Sequence, residues 1–307
     1  MIPTLPLLRR LSQGLAAVCG SLLIAGSVLA EGASRTPESP ARGVLWEVVQ
    51  GGQTAYLFGS VHLAKKSFYP FPEAVQQAYQ QADTLAVEVD SSDAQANLKA
   101  MPLLMYSGGD KLENHLQKST WEDLRKTVGA ASAQFQPLKP AIVATGLMMG
   151  VFSQLGYDPR LGVDLHFIER AKKDKKTVVE LESMEFQAQV LGGLSDEEGD
   201  AMLAQTLSAM KNGEALRDTQ FMIDAWKRGD AETLASIMED IANKDEGSRK
   251  TMKALLDDRN LPMVEKILSM MDNGKRLFIV VGAGHLSGKN SLTDLLRQRG
   301  VQVRQIK

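Results

Sequence analysis

The chain has 307 residues, 35 Lys and Arg against 37 Asp and Glu, and a single cysteine. A formal net charge of −2 gives no electrostatic case for nucleic acid as a partner. The length suffices to bury one large core or two closely packed parts.

Residues 1–30 read as a secretory signal peptide. Arg9 and Arg10 precede an apolar, small-residue-rich run from Gly14 to Ala30, and the chain turns polar at Glu31. Val28-Leu29-Ala30 resembles a small-x-small cleavage site. The run is about 17 residues, the short limit for a spanning helix. Cleavage after Ala30 is therefore the expectation, and an uncleaved membrane anchor the alternative. Cleavage would remove two arginines and no acid, leaving 33 basic and 37 acidic residues, and would also remove Cys19. Disulfides, thiolate zinc sites, iron–sulfur clusters and cysteine nucleophiles are then excluded from the mature chain. The expected compartment is the periplasm or the exterior, without stable membrane insertion.

Residues 31–42, EGASRTPESPAR, have the composition of a disordered linker, which leaves 43–307 as the folded domain. In GVLWEVVQGGQTAYLFGS two β-branched and aromatic runs flank Gln50-Gly51-Gly52-Gln53, the pattern of a tight hairpin. Two prolines near residue 70 precede a helix. TLAVEVD (84–90) reads as a short alternating strand, and KTVVELES (176–183) holds another. From about 195 to 273 the pattern is helical. It opens with a capping-box pair, Ser195 and Glu198, and carries Leu234, Ile237, Met238 and Ile241 at helical spacing. Met202, Met210, Met222 and Met238 occupy helical apolar positions, which fits core filling better than metal binding. His115, in ENHLQK, reads as a solvated residue on a polar helix. KRLFIVVGAGH is a buried strand and its turn, and SLTDLLRQRGVQVRQI a helix and closing strand. Strands at both ends with helices between imply an α/β fold: a mixed sheet flanked by helices, with a largely helical portion at 195–273.

Two of the four histidines follow hydrophobic runs as Gly-x-x-His: Gly59 with His62, and Gly282 with His285, more than two hundred residues apart. A strand that ends in this way delivers an imidazole to the carboxyl edge of a sheet, where open α/β sheets build their sites. Glycine permits the sharp exit. Each histidine alone reads as an ordinary loop hydrogen-bonding residue; two copies point to a shared crevice. Glu88, set in the apolar strand, needs a metal, a cation or a polar pocket if buried; the other reading is a half-exposed strand. Two imidazoles and a carboxylate make a plausible set for a divalent transition metal with one position open. GAGHLSGKN is not a phosphate loop, because five residues rather than four separate Gly282 from Gly288 and Asn290 replaces Ser or Thr. No Gly-x-Ser-x-Gly elbow is present.

LFGSVH, AVEVD, GVDLHF, the run RAKKDKKTVVELES with EFQ after it, DDRN and FIVVGAGHLSGKNSLTDLL occur in an order that resembles the TraB/PrgY/GumN family, over roughly 43–306. That family is similar to the Tiki metal-dependent proteases and, in fold, to the erythromycin-esterase and ChaN-like proteins. The resemblance implies that Gly59, His62, Gly282, His285 and Glu88 are hallmark positions. Asp164, Glu182, Gln187, Arg259 and Asn260 match further family positions. It implies metal held by His62, Glu88 and His285; the metal's identity stays open, since two imidazoles and a carboxylate suit manganese, cobalt or zinc. Asp164 or Glu182 would orient a histidine or accept protons, and Arg259 would bind a substrate carboxylate or oxyanion; a structural role competes at each. His166 is an accessory candidate. The expected function is exported metal-dependent hydrolysis of a peptide or other amide bond, with a peptide or small molecule as substrate. The alternatives are a periplasmic protein that sequesters a peptide or haem, and a scaffold with a vestigial site.

Overall fold

The structure, a computed structural model, describes residues 40–307. The expected signal peptide and most of the expected linker lie outside the described residues. The linker's last positions are not loose: Ala41 is buried in the core and the Arg42 amide donates to the Lys227 carbonyl.

The fold grows from the hairpin. β1 (Val44–Gln50) and β2 (Gln53–Ser60) pair antiparallel from Gln50↔Gln53 to Val44↔Gly59. Gly51 and Gly52 both have positive φ, 56° and 79°, the conformation that a two-residue turn matched to strand twist demands. Four more strands complete the sheet: β3 (Thr84–Val87), β4 (Thr177–Glu180), β5 (Leu277–Gly282) and β6 (Gln302–Ile306). Their order is β4-β3-β5-β2-β1-β6. The first four are mutually parallel, while β1 runs antiparallel to both β2 and β6. The expected mixed sheet flanked by helices is therefore present.

Helices cover both faces. On one side Phe58, Leu85, Phe278 and Val280 pack against helices Glu73–Gln81, Val163–Lys173 and Glu214–Arg228. On the other, Leu57, Ala86, Ile279 and Val281 meet helices Asp258–Asp272 and Leu292–Gln298. A parallel strand buried on both faces reads as a continuous apolar run. β3 stops at Val87 rather than running to residue 90, and all four of its residues are buried, so the apolar reading stands and the half-exposed alternative does not. Glu88 stands just past its carboxyl end and is buried, 8% exposed.

The 195–273 portion is helical as expected, with helices Asp196–Lys211, Glu214–Arg228, Ala231–Asn243 and Glu246–Met252 before Asp258–Asp272. Ser195 and Glu198 form the reciprocal capping box. Met202, Met210 and Met222 pack against hydrophobic clusters. Leu234 is buried, but Ile241, counted with it on one apolar face, is exposed. Trp226 anchors this portion to the sheet, since its buried Nε1 donates to the Gly59 carbonyl at 2.8 Å. Among the described residues no helix is long and apolar enough to cross a membrane.

Candidate functional site

The strand order decides the site. β4, β3, β5 and β2 are adjacent and parallel, so their carboxyl ends form one row: Glu182, Glu88, the Gly282–His285 turn, then Ser60 and His62. The β3–β4 ladder continues one step beyond the strands, with the Leu181 amide donating to Val87 and the Glu182 amide to Glu88. This sets the two glutamates side by side. In the next gap Ser60 pairs with Gly282, so the two Gly-x-x-His turns leave neighbouring strands.

Glu88 is held from several directions. Its Oε1 accepts from the Gly282 amide at 2.6 Å. Its Oε2 accepts from Arg259 Nη2 at 2.7 Å and from Gln187 Nε2 at 3.0 Å. Burial pushes this carboxyl up, but the His285, Arg259 and His62 rings and guanidinium, with the Gly282 amide, outweigh it and hold the group at about 2. Arg259 comes from the start of helix Asp258–Asp272, just after a π-helical turn at Lys253–Asp257. Its Nε and Nη2 embrace Glu182, and its Nη1 donates to the Leu255 carbonyl. The guanidinium has five N–H donors, and these contacts with the Glu88 bond engage four. The expected oxyanion or substrate clamp is therefore not what Arg259 does in this structure: it ties two buried carboxylates together. Glu182, expected as a proton acceptor, is likewise taken up by Arg259 and Gln187.

His285 is buried, 2% exposed, and burial pushes its imidazole below the ordinary range. Its Nδ1 lies 2.6 Å from Asn260 Oδ1, and its Nε2 lies 3.7 Å from Glu88 Oε2. His62 is different. Its side chain is 59% exposed, and its Nδ1 lies 3.0 Å from Asp164 Oδ2. The Asp164 charge raises the imidazole to about 9. Ser60 Oγ donates to the other Asp164 oxygen at 2.5 Å. Asp164 arrives on helix Val163–Lys173, whose entry is fixed by Gly162. A Cβ at Gly162 would stand 2.4 Å from the His62 carbonyl oxygen, so only glycine allows this approach.

Glu88 and His285 meet, while His62 faces Asp164 and acts on both through its charge. The three-way convergence expected from the sequence is not assembled: among the described residues no three His, Cys, Asp or Glu side chains are grouped to hold a metal ion. The donor chemistry nonetheless fits a divalent ion. An imidazole nitrogen and a carboxylate oxygen face each other beyond hydrogen-bond reach, and each histidine uses Nδ1 for an orienting partner, leaving Nε2 as the donor, as in metal-ligating histidines.

Two other histidines lie away from this row. His166, the accessory candidate, stacks on Tyr69 at 4.3 Å among Phe71 and Phe167, and burial lowers it to about 4. His115 corrects the expectation of a solvated helix residue. It ends a 3-10 turn (Leu112–His115), with Nε2 2.8 Å from Asp110, Nδ1 2.8 Å from Asp196, and its ring stacked on Tyr106. Sequence reasoning assigned no role to Ser60 or Asn290, although both stand inside the stretches that carry the two Gly-x-x-His motifs.

The model of the TraB/PrgY/gumN family matches residues 44–305. The uncharacterized protein YbaP of Escherichia coli strain K12 is 26% identical over 250 residues, covering 80% of this chain and 89% of that protein. The metalloprotease TIKI1 of Xenopus tropicalis is 22% identical over 318 residues, covering 87% of this chain but only 62% of that protein. A metalloprotease TIKI homolog of Nematostella vectensis is 21% identical over 325 residues, covering 89% and 69%. No solved structure matches.

Proposed function

This chain belongs to the TraB/PrgY/gumN family, and from that premise we propose that it is an exported metal-dependent hydrolase of a peptide or other amide bond. The observation that carries this reading is the row of strand ends that sets Glu182, Glu88, His285 and His62 along one sheet edge. The metalloprotease relatives of Xenopus tropicalis and Nematostella vectensis support it at 21–22% identity. Glu88, His285 and His62 would hold a divalent ion, manganese, cobalt or zinc, whose Lewis acidity activates water and polarises a carbonyl.

The chain's own residues have separable tasks. Arg259, Gln187 and the Gly282 amide keep Glu88 ionised and aimed, so the carboxylate is a ligand oxygen rather than a titrating acid. Glu182 neutralises Arg259, so that the guanidinium does not stand in the site as an uncompensated cation. Asp164 orients His62 and forms with it the solvent-facing half of the site. The buried Glu88–His285 half excludes water from one side of the reacting group.

The test is direct. Mature protein supplied with Mn²⁺, Co²⁺ or Zn²⁺ is incubated with a peptide library. Cleavage that is lost with chelator and in Glu88→Gln supports the proposal. Saturable binding with every peptide, or haem, recovered intact would replace it with the sequestering alternative.

A further inference from the structure

His285 can carry its proton on either nitrogen, and only one choice leaves Nε2 able to receive a cation. Its immediate neighbours settle the choice. Asn260 is buried, 1% exposed, and its Nδ2 donates to the main-chain carbonyl of Asn290 at 2.9 Å. A flipped amide would put Oδ1 against that carbonyl, acceptor against acceptor. Oδ1 is therefore the atom that faces His285 Nδ1 at 2.6 Å, and an amide oxygen only accepts. The hydrogen must sit on Nδ1. At the other end of the ring, Nε2 lies 3.7 Å from Glu88 Oε2, too far for a hydrogen bond. A proton on Nε2 would gain no bond with the nearest carboxylate.

The Asn290 carbonyl is itself held. Asn290 adopts a left-handed backbone, φ 59°, which Asn tolerates better than most residues. Its amide donates to Asp294 Oδ2 and its Nδ2 to Asp257 Oδ2, both at 2.9 Å. The chain of contacts from Asp257 and Asp294 through Asn290 to Asn260 leaves the Asn260 amide one orientation.

We infer that Asn260 is a positioning residue, which locks His285 in the Nδ1–H tautomer so that the bare Nε2 faces Glu88. The purpose of the lock rests on the reading of Glu88 and His285 as a metal-holding pair; its existence does not. Removal of such an orienting partner typically weakens metal affinity by about 10–100-fold.

The experiment uses uniformly ¹⁵N-labelled full chain freed of metal by chelator. Long-range ¹H–¹⁵N correlation distinguishes the two neutral imidazole tautomers. The four histidines are assigned with His62→Gln, His115→Gln and His166→Gln. The expected pattern for His285 is a protonated Nδ1 and a bare Nε2. Asn260→Leu, close in size but without an acceptor, should move His285 to the Nε2–H form and lower Co²⁺ affinity by roughly 10–100-fold. Asn290→Gly, which preserves both the carbonyl and the left-handed backbone, should leave the Nδ1–H pattern unchanged. An Nε2–H pattern in the unsubstituted protein overturns the inference, whether or not the leucine variant folds. So does an Asn260→Leu spectrum identical to it. Should the unsubstituted protein show Nδ1–H but take up no Co²⁺, the lock holds and the metal reading of the site fails.

Discussion

Arg259 Nη2 donates to Glu88 Oε2 at 2.7 Å, joining residues 171 positions apart. The same guanidinium also bridges to Glu182, so two carboxylates that would otherwise repel each other at neighbouring strand ends share one cation. The side chains of all three residues are no more than 11% exposed.

This bridge makes Arg259 the most sensitive position in the site for stability. Removing one member of a buried charge network leaves the others uncompensated and costs about 3–5 kcal/mol. Arg259→Met is expected to lose that much in urea unfolding. Adding Glu182→Gln to the same chain should recover part of it, because one of the stranded charges is gone. Equal losses in the single and double variants would show that the two carboxylates do not depend on the guanidinium.

Asp164 bonds to His62 from a helix 102 residues further along the chain. Asp164→Asn preserves the shape and the hydrogen-bonding reach but removes the charge behind the imidazole. Under the proposed function it should weaken divalent-metal affinity by roughly 10–100-fold, read by calorimetric titration, while the thermal midpoint changes little. An unchanged affinity would remove Asp164 from the site.

Gly162 tests whether the entry to that helix positions His62. The added methyl of Gly162→Ala would overlap the His62 carbonyl, and such overpacking costs typically about 1–3 kcal/mol. Because the displaced group is the backbone of His62 itself, metal affinity should fall together with stability. Ala at Gly213, which has open space around it and lies outside the site, is the comparison. It should cost stability through its positive φ alone and leave the affinity intact.

His115 gives a pH dependence separate from the candidate site. Its contacts with Asp196 and Asp110 raise its imidazole above the ordinary 6.5. The stabilisation is then complete below about 6.5 and is lost as pH rises through the raised folded value. Asp110, lowered from 3.8 to about 2 by its bonds with Asn114 and His115, contributes above about 3.8 and loses that contribution as pH falls through about 2. His115→Gln should therefore be less stable than the unsubstituted chain chiefly between about pH 4 and 6.5, with the gap narrowing at pH 9. Thermal melts at pH 5 and pH 9 measure it, and a gap of equal size at both would refute the ionic origin.

Much of the scaffold could be read locally. The Gly51-Gly52 hairpin, the Ser195 capping box, the helical run after 195 and the closing helix and strand follow from turn chemistry, caps and periodicity, which act over a few residues. The two Gly-x-x-His motifs after apolar runs do stand at the carboxyl ends of neighbouring parallel strands, β2 and β5. Glu88 stands out in the sequence as a charge within an apolar strand, and it is buried with partners as that reading requires; only the strand's end differs, since β3 stops at Val87.

What the amino-acid sequence determined by itself is the set of elements, the absence of cysteine chemistry from the described domain, and the location of two imidazoles at strand ends. The tertiary structure alone decided that β3 lies between β4 and β5, and hence that Glu88 has Glu182 on one side and His285 on the other. It alone brought Asp164 to His62 and set the Arg259 guanidinium between Glu88 and Glu182. The reason is physical: local preferences depend on neighbours a few residues away, whereas the partner of a buried charge is chosen by strand pairing and helix docking across the whole chain.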